Sequence, residues 1–128
     1  MAHSEFENRP WRQHREFLVN GLIGSPVVSK VEEVDNFNYV VQRPGKSELR
    51  IYLTNKYILS VTDVIEILDE SPDTNCIVST MNYNQYTPEA KEYCLRVGVG
   101  LFKTAELFDA IYQDGQRFLD YVRSDRGR

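Results

Sequence analysis

Val61, Val64, Ile65 and Leu68 stand at i, i+3, i+4 and i+7, the spacing that gathers apolar side chains on one helix face. Ser60 precedes them and Asp63 follows three residues later, an acidic form of the capping box, and Ser71-Pro72-Asp73 ends the segment. A second stripe, Ala90, Tyr93, Cys94 and Val97, follows Thr87-Pro88-Glu89. Thr87 supplies a capping hydroxyl, Pro88 lacks an N–H where none is needed, and Glu89 lies near the positive helix end. Gly98 suits a left-handed C-terminal cap. Thr104 reads as the cap of a third helix that buries Leu107, Phe108 and Ile111. Asp114-Gly115 interrupts it, and Gln116 to Arg123 makes a last amphipathic turn or two. Near the start, Pro10 opens a helix reaching Leu22, with Trp11, Leu18 and Leu22 on one stripe and Gly24-Ser25-Pro26 as its stop.

Between these helices the pattern changes period. Val27 to Val34 is β-branched and weakly alternating, Asn38 to Arg43 is a second strand, and Leu49 to Tyr57 is a third. Leu49, Ile51 and Leu53 share one face of that third strand. Pro44-Gly45-Lys46-Ser47 turns the chain, since proline fixes φ and glycine reaches positive φ. Val27 to Tyr57 therefore reads as an antiparallel meander. Cys76 to Val78 and Val99 to Phe102 are short buried strands. The order α-β-β-β-α-β-α-β-α-α predicts an α/β fold with a mixed sheet and helices on both faces. Residues 1–8 read as a flexible leader, 9–123 as one domain and 124–128 as a frayed tail.

Composition narrows the class. At 128 residues the chain has enough material for one core without metals or disulfides. Cys76 lies in an apolar strand and Cys94 on an apolar helix stripe, which predicts two buried thiols. No apolar run is long enough to span a bilayer, and the first residues lack a signal-peptide core, so a cytoplasmic location is expected. The net charge of −4 disfavours an all-over polyanion-binding surface. Arg9, Arg12 and Arg15 nevertheless crowd the first helix, and Arg117, Arg123, Arg126 and Arg128 crowd the C-terminal end. His3 and His14 lack metal-site spacing. The tract Asn82-Tyr83-Asn84-Gln85-Tyr86 offers aromatic rings next to amides, with Tyr83 and Tyr86 as candidate stacking residues.

Ser79-Thr80, Tyr86-Thr87-Pro88-Glu89-Ala90, Gly98-Val99 and Glu106-Leu107 stand in the order found in the C-terminal half of Mrr-like domains. On these motifs the chain resembles the restriction-endonuclease-like, or PD-(D/E)XK, superfamily. The element order carries the resemblance over nearly the whole chain, the close motifs over about the last third. The resemblance implies a catalytic Asp in the second strand and an acid-x-Lys in the third. Two carboxylates hold Mg²⁺, a hard cation that prefers oxygen, and the metal activates a water and stabilises phosphate charge. In this chain the third-strand tripeptide is Thr54-Asn55-Lys56, and the second-strand acid falls near Asn38 or Tyr39. Lys56 matches; Asn38 and Thr54 are neutral. Asp35 and Glu48 are the acids from which a relocated metal site would be drawn; Glu32 and Glu33 also precede the second strand, and Asp63 and Glu66 lie on the crossover helix.

The resemblance, with neutral residues where it expects acids, implies a degenerate nuclease-like domain with a binding or assembly role in a DNA-linked or defence setting, needing no cofactor. The alternative is a Mg²⁺-dependent nuclease with relocated carboxylates. A third reading is a homo-oligomeric module, because eight Tyr, six Phe and one Trp supply much interface-type surface. The expected partner is nucleic acid, through Arg12, Arg15, Tyr83 and Tyr86, or a protein; no membrane partner is expected.

Overall fold

The computed structural model describes residues 9–80 and 85–122. Helix α1 (Arg12–Ile23) leads into a meander of β1 (Lys30–Glu33), β2 (Asn38–Gln42) and β3 (Leu49–Thr54). A two-residue strand β4 (Ile58–Leu59) precedes α2 (Val61–Glu70), which crosses to β5 (Cys76–Ser79). Then come β6 (Gln85–Tyr86), α3 (Pro88–Val97), β7 (Gly100–Lys103), α4 (Thr104–Ala110) and α5 (Gly115–Leu119). The main sheet has the order β1-β2-β3-β5-β7. The first three strands pair antiparallel, and β3, β5 and β7 pair parallel, so the sheet is mixed. The sequence pattern predicted this mixed α/β class.

Alternation along the strands builds two cores. Ile51, Leu53, Cys76, Val78 and Phe102 join Leu18 and Leu22 of α1, Leu107 and Ala110 of α4, and Phe118 of α5. Tyr52, Ile77 and Leu101 point the other way and meet Val64 and Ile67 of α2 and Ala90 and Cys94 of α3. Cys76 and Cys94 thus lie on opposite faces of the sheet, both buried, as their apolar settings predicted. Burial pushes the Cys94 thiol up to about 11 and Cys76 higher still, so neither is a reactive thiolate.

The local signals hold where they depend on neighbours in sequence. Ser60 accepts from the Asp63 N–H and Asp63 Oδ2 accepts from the Ser60 N–H, a complete capping box. Thr87 accepts from Ala90 N–H at 3.0 Å, and Gly98 closes α3 at φ +78. Alanine at Gly98 therefore forces a side chain into the left-handed region, and urea unfolding of Gly98→Ala is expected to show a loss of about 1 kcal/mol.

Other expectations need correction. Trp11 leaves the apolar stripe: it is the extended residue before α1, with φ −72 and ψ 162, and is 58% exposed. Val27 to Ser29 is not strand, because Val27 N–H and Val28 N–H turn back onto Ser25. The third strand stops at Thr54, and β4 instead pairs in parallel with β6. Ile65 and Val97 are exposed. Thr104 is not a cap; its hydroxyl donates to Ser79 O, while Glu106 Oε1 accepts from the Lys103 N–H.

Strand β7 is the outer strand beside β5, and it carries its own guard. Lys91 Nζ donates to Leu101 O at 2.7 Å, occupying a carbonyl that would otherwise invite another strand. Burial pulls the Lys91 amine below its ordinary pKa, opposed by Glu106.

Candidate functional site

In parallel sheets, chemistry gathers at the carboxyl ends of the strands. Here Thr54, Ser79 and Lys103 lie in register at the ends of β3, β5 and β7. Thr54 is 2% exposed, and its Oγ1 accepts from the Lys56 N–H at 3.2 Å. Thr80 Oγ1 donates to Asn55 Oδ1 at 2.6 Å. The Ser79 hydroxyl is buried without a hydrogen-bond partner among the described residues. This end of the sheet is therefore lined by hydroxyls and amides, several of which satisfy one another.

Asn38, opposite Tyr52 in the β2–β3 ladder, is held by Asp35. Asp35 Oδ1 accepts from the backbone N–H groups of Phe37 and Asn38 at 2.8 Å, and both its oxygens accept from the Asn38 amide at 3.1 Å. Asp35 is thus the anchor of the β1–β2 turn. Lys56 Nζ lies 3.7 Å from Asp63 Oδ1, and Asp63 Oδ2 accepts from the Ser60 N–H and hydroxyl at 2.9 Å. Glu48 sits at the opposite end of β3, six strand residues away, or ~20 Å. There it pairs with Arg50 at 3.0 Å and accepts from Gln42 at 2.6 Å. The structure thus brings Asp63 to Lys56, binds Asp35 to Asn38, and keeps Glu48 at the far end. Among the described residues, no group of three His, Cys, Asp or Glu side chains could hold a metal ion. The donors beside Lys56 fit Mg²⁺ poorly: Thr54 contributes no charge, and Asp63 is shared between a cap and a lysine.

Tyr86 is half-buried, and its hydroxyl donates to Glu106 Oε1 at 2.9 Å. Burial, with Glu106 beside it, pushes this phenol well above its ordinary pKa. Its ring lines a cleft of about 430 Å³ with Pro88, Glu89, Lys91, Glu92 and Leu95. Tyr83 lies outside the described residues, as do Arg123, Arg126 and Arg128.

A second constellation gathers beside α1. Arg9, Arg12 and Arg15 line one cleft of about 310 Å³ with Pro10, Trp11 and Asn36. Arg12 and Arg15 are three apart and share a helix face. Asn36, from the β1–β2 turn, is a contributor that helix spacing had no means to reveal. Arg12 Nε pairs with Glu16 at 3.1 Å on the exposed helix surface, where such pairs are worth little. Arg15 Nε is buried and has no acceptor among the described residues. Below it, Tyr39 donates its hydroxyl to Asn36 O at 3.0 Å. Burial raises the Tyr39 pKa despite the nearby Arg15, so the phenol stays neutral and leaves the guanidinium charge intact. Trp11 is stacked on His14 at 5.0 Å, and the His14 Nδ1 accepts from the Trp11 N–H at 3.1 Å. Burial lowers the His14 pKa, which favours the neutral ring that this bond requires.

None of the described helices is long and apolar enough to cross a membrane. No protein-family model matches the chain, and no curated protein or solved structure matches it.

Proposed function

We propose that this chain is a restriction-endonuclease-like domain that binds nucleic acid without cutting it, in the manner of an accessory factor in a DNA-linked or defence pathway. The antiparallel meander followed by parallel β5 and β7 is consistent with that fold class, an argument by analogy of architecture. One observation carries the non-catalytic half of the reading: where the resemblance expects two acids, Asn38 is tied to Asp35 and Thr54 accepts from the Lys56 backbone. A phosphodiesterase of this type depends on a retained cation to activate water and to stabilise developing charge. Neutral, internally bonded side chains offer neither. The cleft of Arg9, Arg12 and Arg15 supports the binding half, because guanidinium groups recognise phosphate oxygens in charge-assisted pairs.

The test is a calorimetric titration with Mg²⁺ and Mn²⁺, paired with cleavage assays on single- and double-stranded DNA and RNA. The expected result is no specific metal uptake and no cleavage. Stoichiometric metal binding with cleavage that disappears in Lys56→Ala overturns the proposal and restores the nuclease alternative.

A further inference from the structure

The cleft beside α1 combines two kinds of group. Three arginines converge on it, and the only tryptophan of the chain forms part of its wall while remaining 58% exposed. One face of the indole rests on His14, whose neutral ring is fixed by the Trp11 N–H. An exposed aromatic next to guanidinium donors is the arrangement by which proteins hold an unpaired nucleotide, base on ring and phosphate on arginine. A base inside a duplex has both faces covered and has none to offer Trp11.

We infer that this cleft is a single-strand nucleic-acid site, with Trp11 as the stacking platform and Arg12 and Arg15 as the phosphate ligands. The inference rests on the binding reading above and narrows it to one surface and one form of the polymer. Arg15 lines the cleft, and its guanidinium is held there by a side-chain hydrogen bond with Tyr39 that leaves its charge for a phosphate. Arg12 swings from its exposed pair with Glu16 at little cost. Asn36 adds an amide at the rim, fixed by the turn that Asp35 anchors. Asp35 and Glu33 stand close enough to Tyr39 to be felt there, so the site is electropositive only locally. Binding should accordingly be weak at high salt.

Because the chain has one Trp, its fluorescence reports this site directly. The experiment titrates the full chain with an oligothymidylate, its duplex with oligoadenylate, and thymidine 5′-monophosphate at low salt. Binding is followed both by Trp11 emission and by anisotropy of an end-labelled strand. The expected result is quenching by the single strand, weaker effects from the duplex and the mononucleotide, and a log–log salt slope of ~1.4 from two arginine–phosphate contacts. Arg12→Gln and Arg15→Gln each lower the slope by about 0.7. Trp11→Phe keeps a stacking ring, whereas Trp11→Ala weakens binding about tenfold. Thermal melts of the variants confirm that each remains folded. Anisotropy binding without Trp11 quenching, unaltered in the arginine variants, overturns this site and leaves the binding reading standing. Equal or tighter binding of the duplex, or of the mononucleotide, overturns the single-strand assignment. No binding by either signal removes both the site and the binding reading.

Discussion

Replacing Arg43 with methionine is expected to lower stability by about 3 kcal/mol, roughly 10 °C in melting temperature for a domain of this size. Arg43 is 2% exposed, yet every guanidinium nitrogen has an acceptor. Nε and Nη2 donate to Ser47 O at 3.1 and 2.8 Å, Nη1 donates to Ile111 O and Gln113 O at 2.9 and 2.7 Å, and Nη2 reaches Asp114 Oδ1 at 3.1 Å. This one side chain ties the β2–β3 turn to the segment between α4 and α5. Burial pulls the guanidinium below its ordinary pKa and Asp114 pulls it back; with its donors satisfied, it stays charged. Methionine fills the volume but leaves the carbonyls of Ile111, Gln113 and Ser47 without that donor, and unmet buried acceptors are what makes the loss large. Lysine, a single point charge, cannot reach these acceptors at once and recovers only part of it.

The same latch sets an acid limit. Partial desolvation would raise the Asp114 pKa, but N–H donors from Ser47 and Gly115, the Ser47 hydroxyl and the Arg43 charge outweigh it, so its folded value is lowered. The unfolded state therefore binds the proton more readily. The stability this group supplies is complete above its unfolded value of 3.8 and drains away as pH falls through the lowered folded value. Asp114→Asn should flatten that part of the acid-unfolding curve.

Phe102→Ala is expected to cost about 3–5 kcal/mol, measured by urea unfolding. Phe102 is fully buried on the outer parallel strand and meets Phe118 edge-on at 5.1 Å. Gly100 makes that packing possible: a Cβ there would lie 2.7 Å from the Phe118 ring and 2.8 Å from Phe102. Lys91 Nζ also lies 4.3 Å from the Phe102 ring centre, so the amine that blunts the sheet edge shares the same support. Alanine removes the ring, loosens Phe118 in α5 and weakens the edge guard together. Phe102→Leu keeps most of the volume and should cost about 1–2 kcal/mol, since both the lost transfer free energy and the cavity are smaller.

What the sequence revealed follows the range of the interactions involved. Ser60 with Asp63, Thr87 with Ala90, and Gly98 act over one helical turn or less, and their roles are legible from spacing alone. Arg43 is not legible in the same way, because its partners other than Ser47 lie 68 to 71 positions along the chain. In the sequence it is simply the last residue of the second strand, with nothing to mark it as buried. Trp11 has the helical spacing to share a face with Leu18, but the helix begins at Arg12, so the periodicity does not reach it. The pairing of β4 with β6 involves two residues on each side, too few to carry a period. At the candidate site the sequence located Lys56 and the neutral residues Asn38 and Thr54. It had no means of showing that Asp35 holds Asn38 or that Asp63 faces Lys56, since both depend on how the turn and the helix start are folded. The clustering of Arg12 and Arg15 was readable from their spacing, while the indole and the Asn36 amide that complete the cleft come from elements outside that helix face.

In the function we propose, this domain holds nucleic acid and leaves it intact. An end-labelled single strand followed by fluorescence anisotropy, with the protein in excess and Mg²⁺ or Mn²⁺ present, tests both parts in one trace. Anisotropy is expected to rise on mixing and then stay flat for hours, with the same plateau when the metal is chelated. A rise followed by a metal-dependent decay to the value of a short fragment overturns the proposed function.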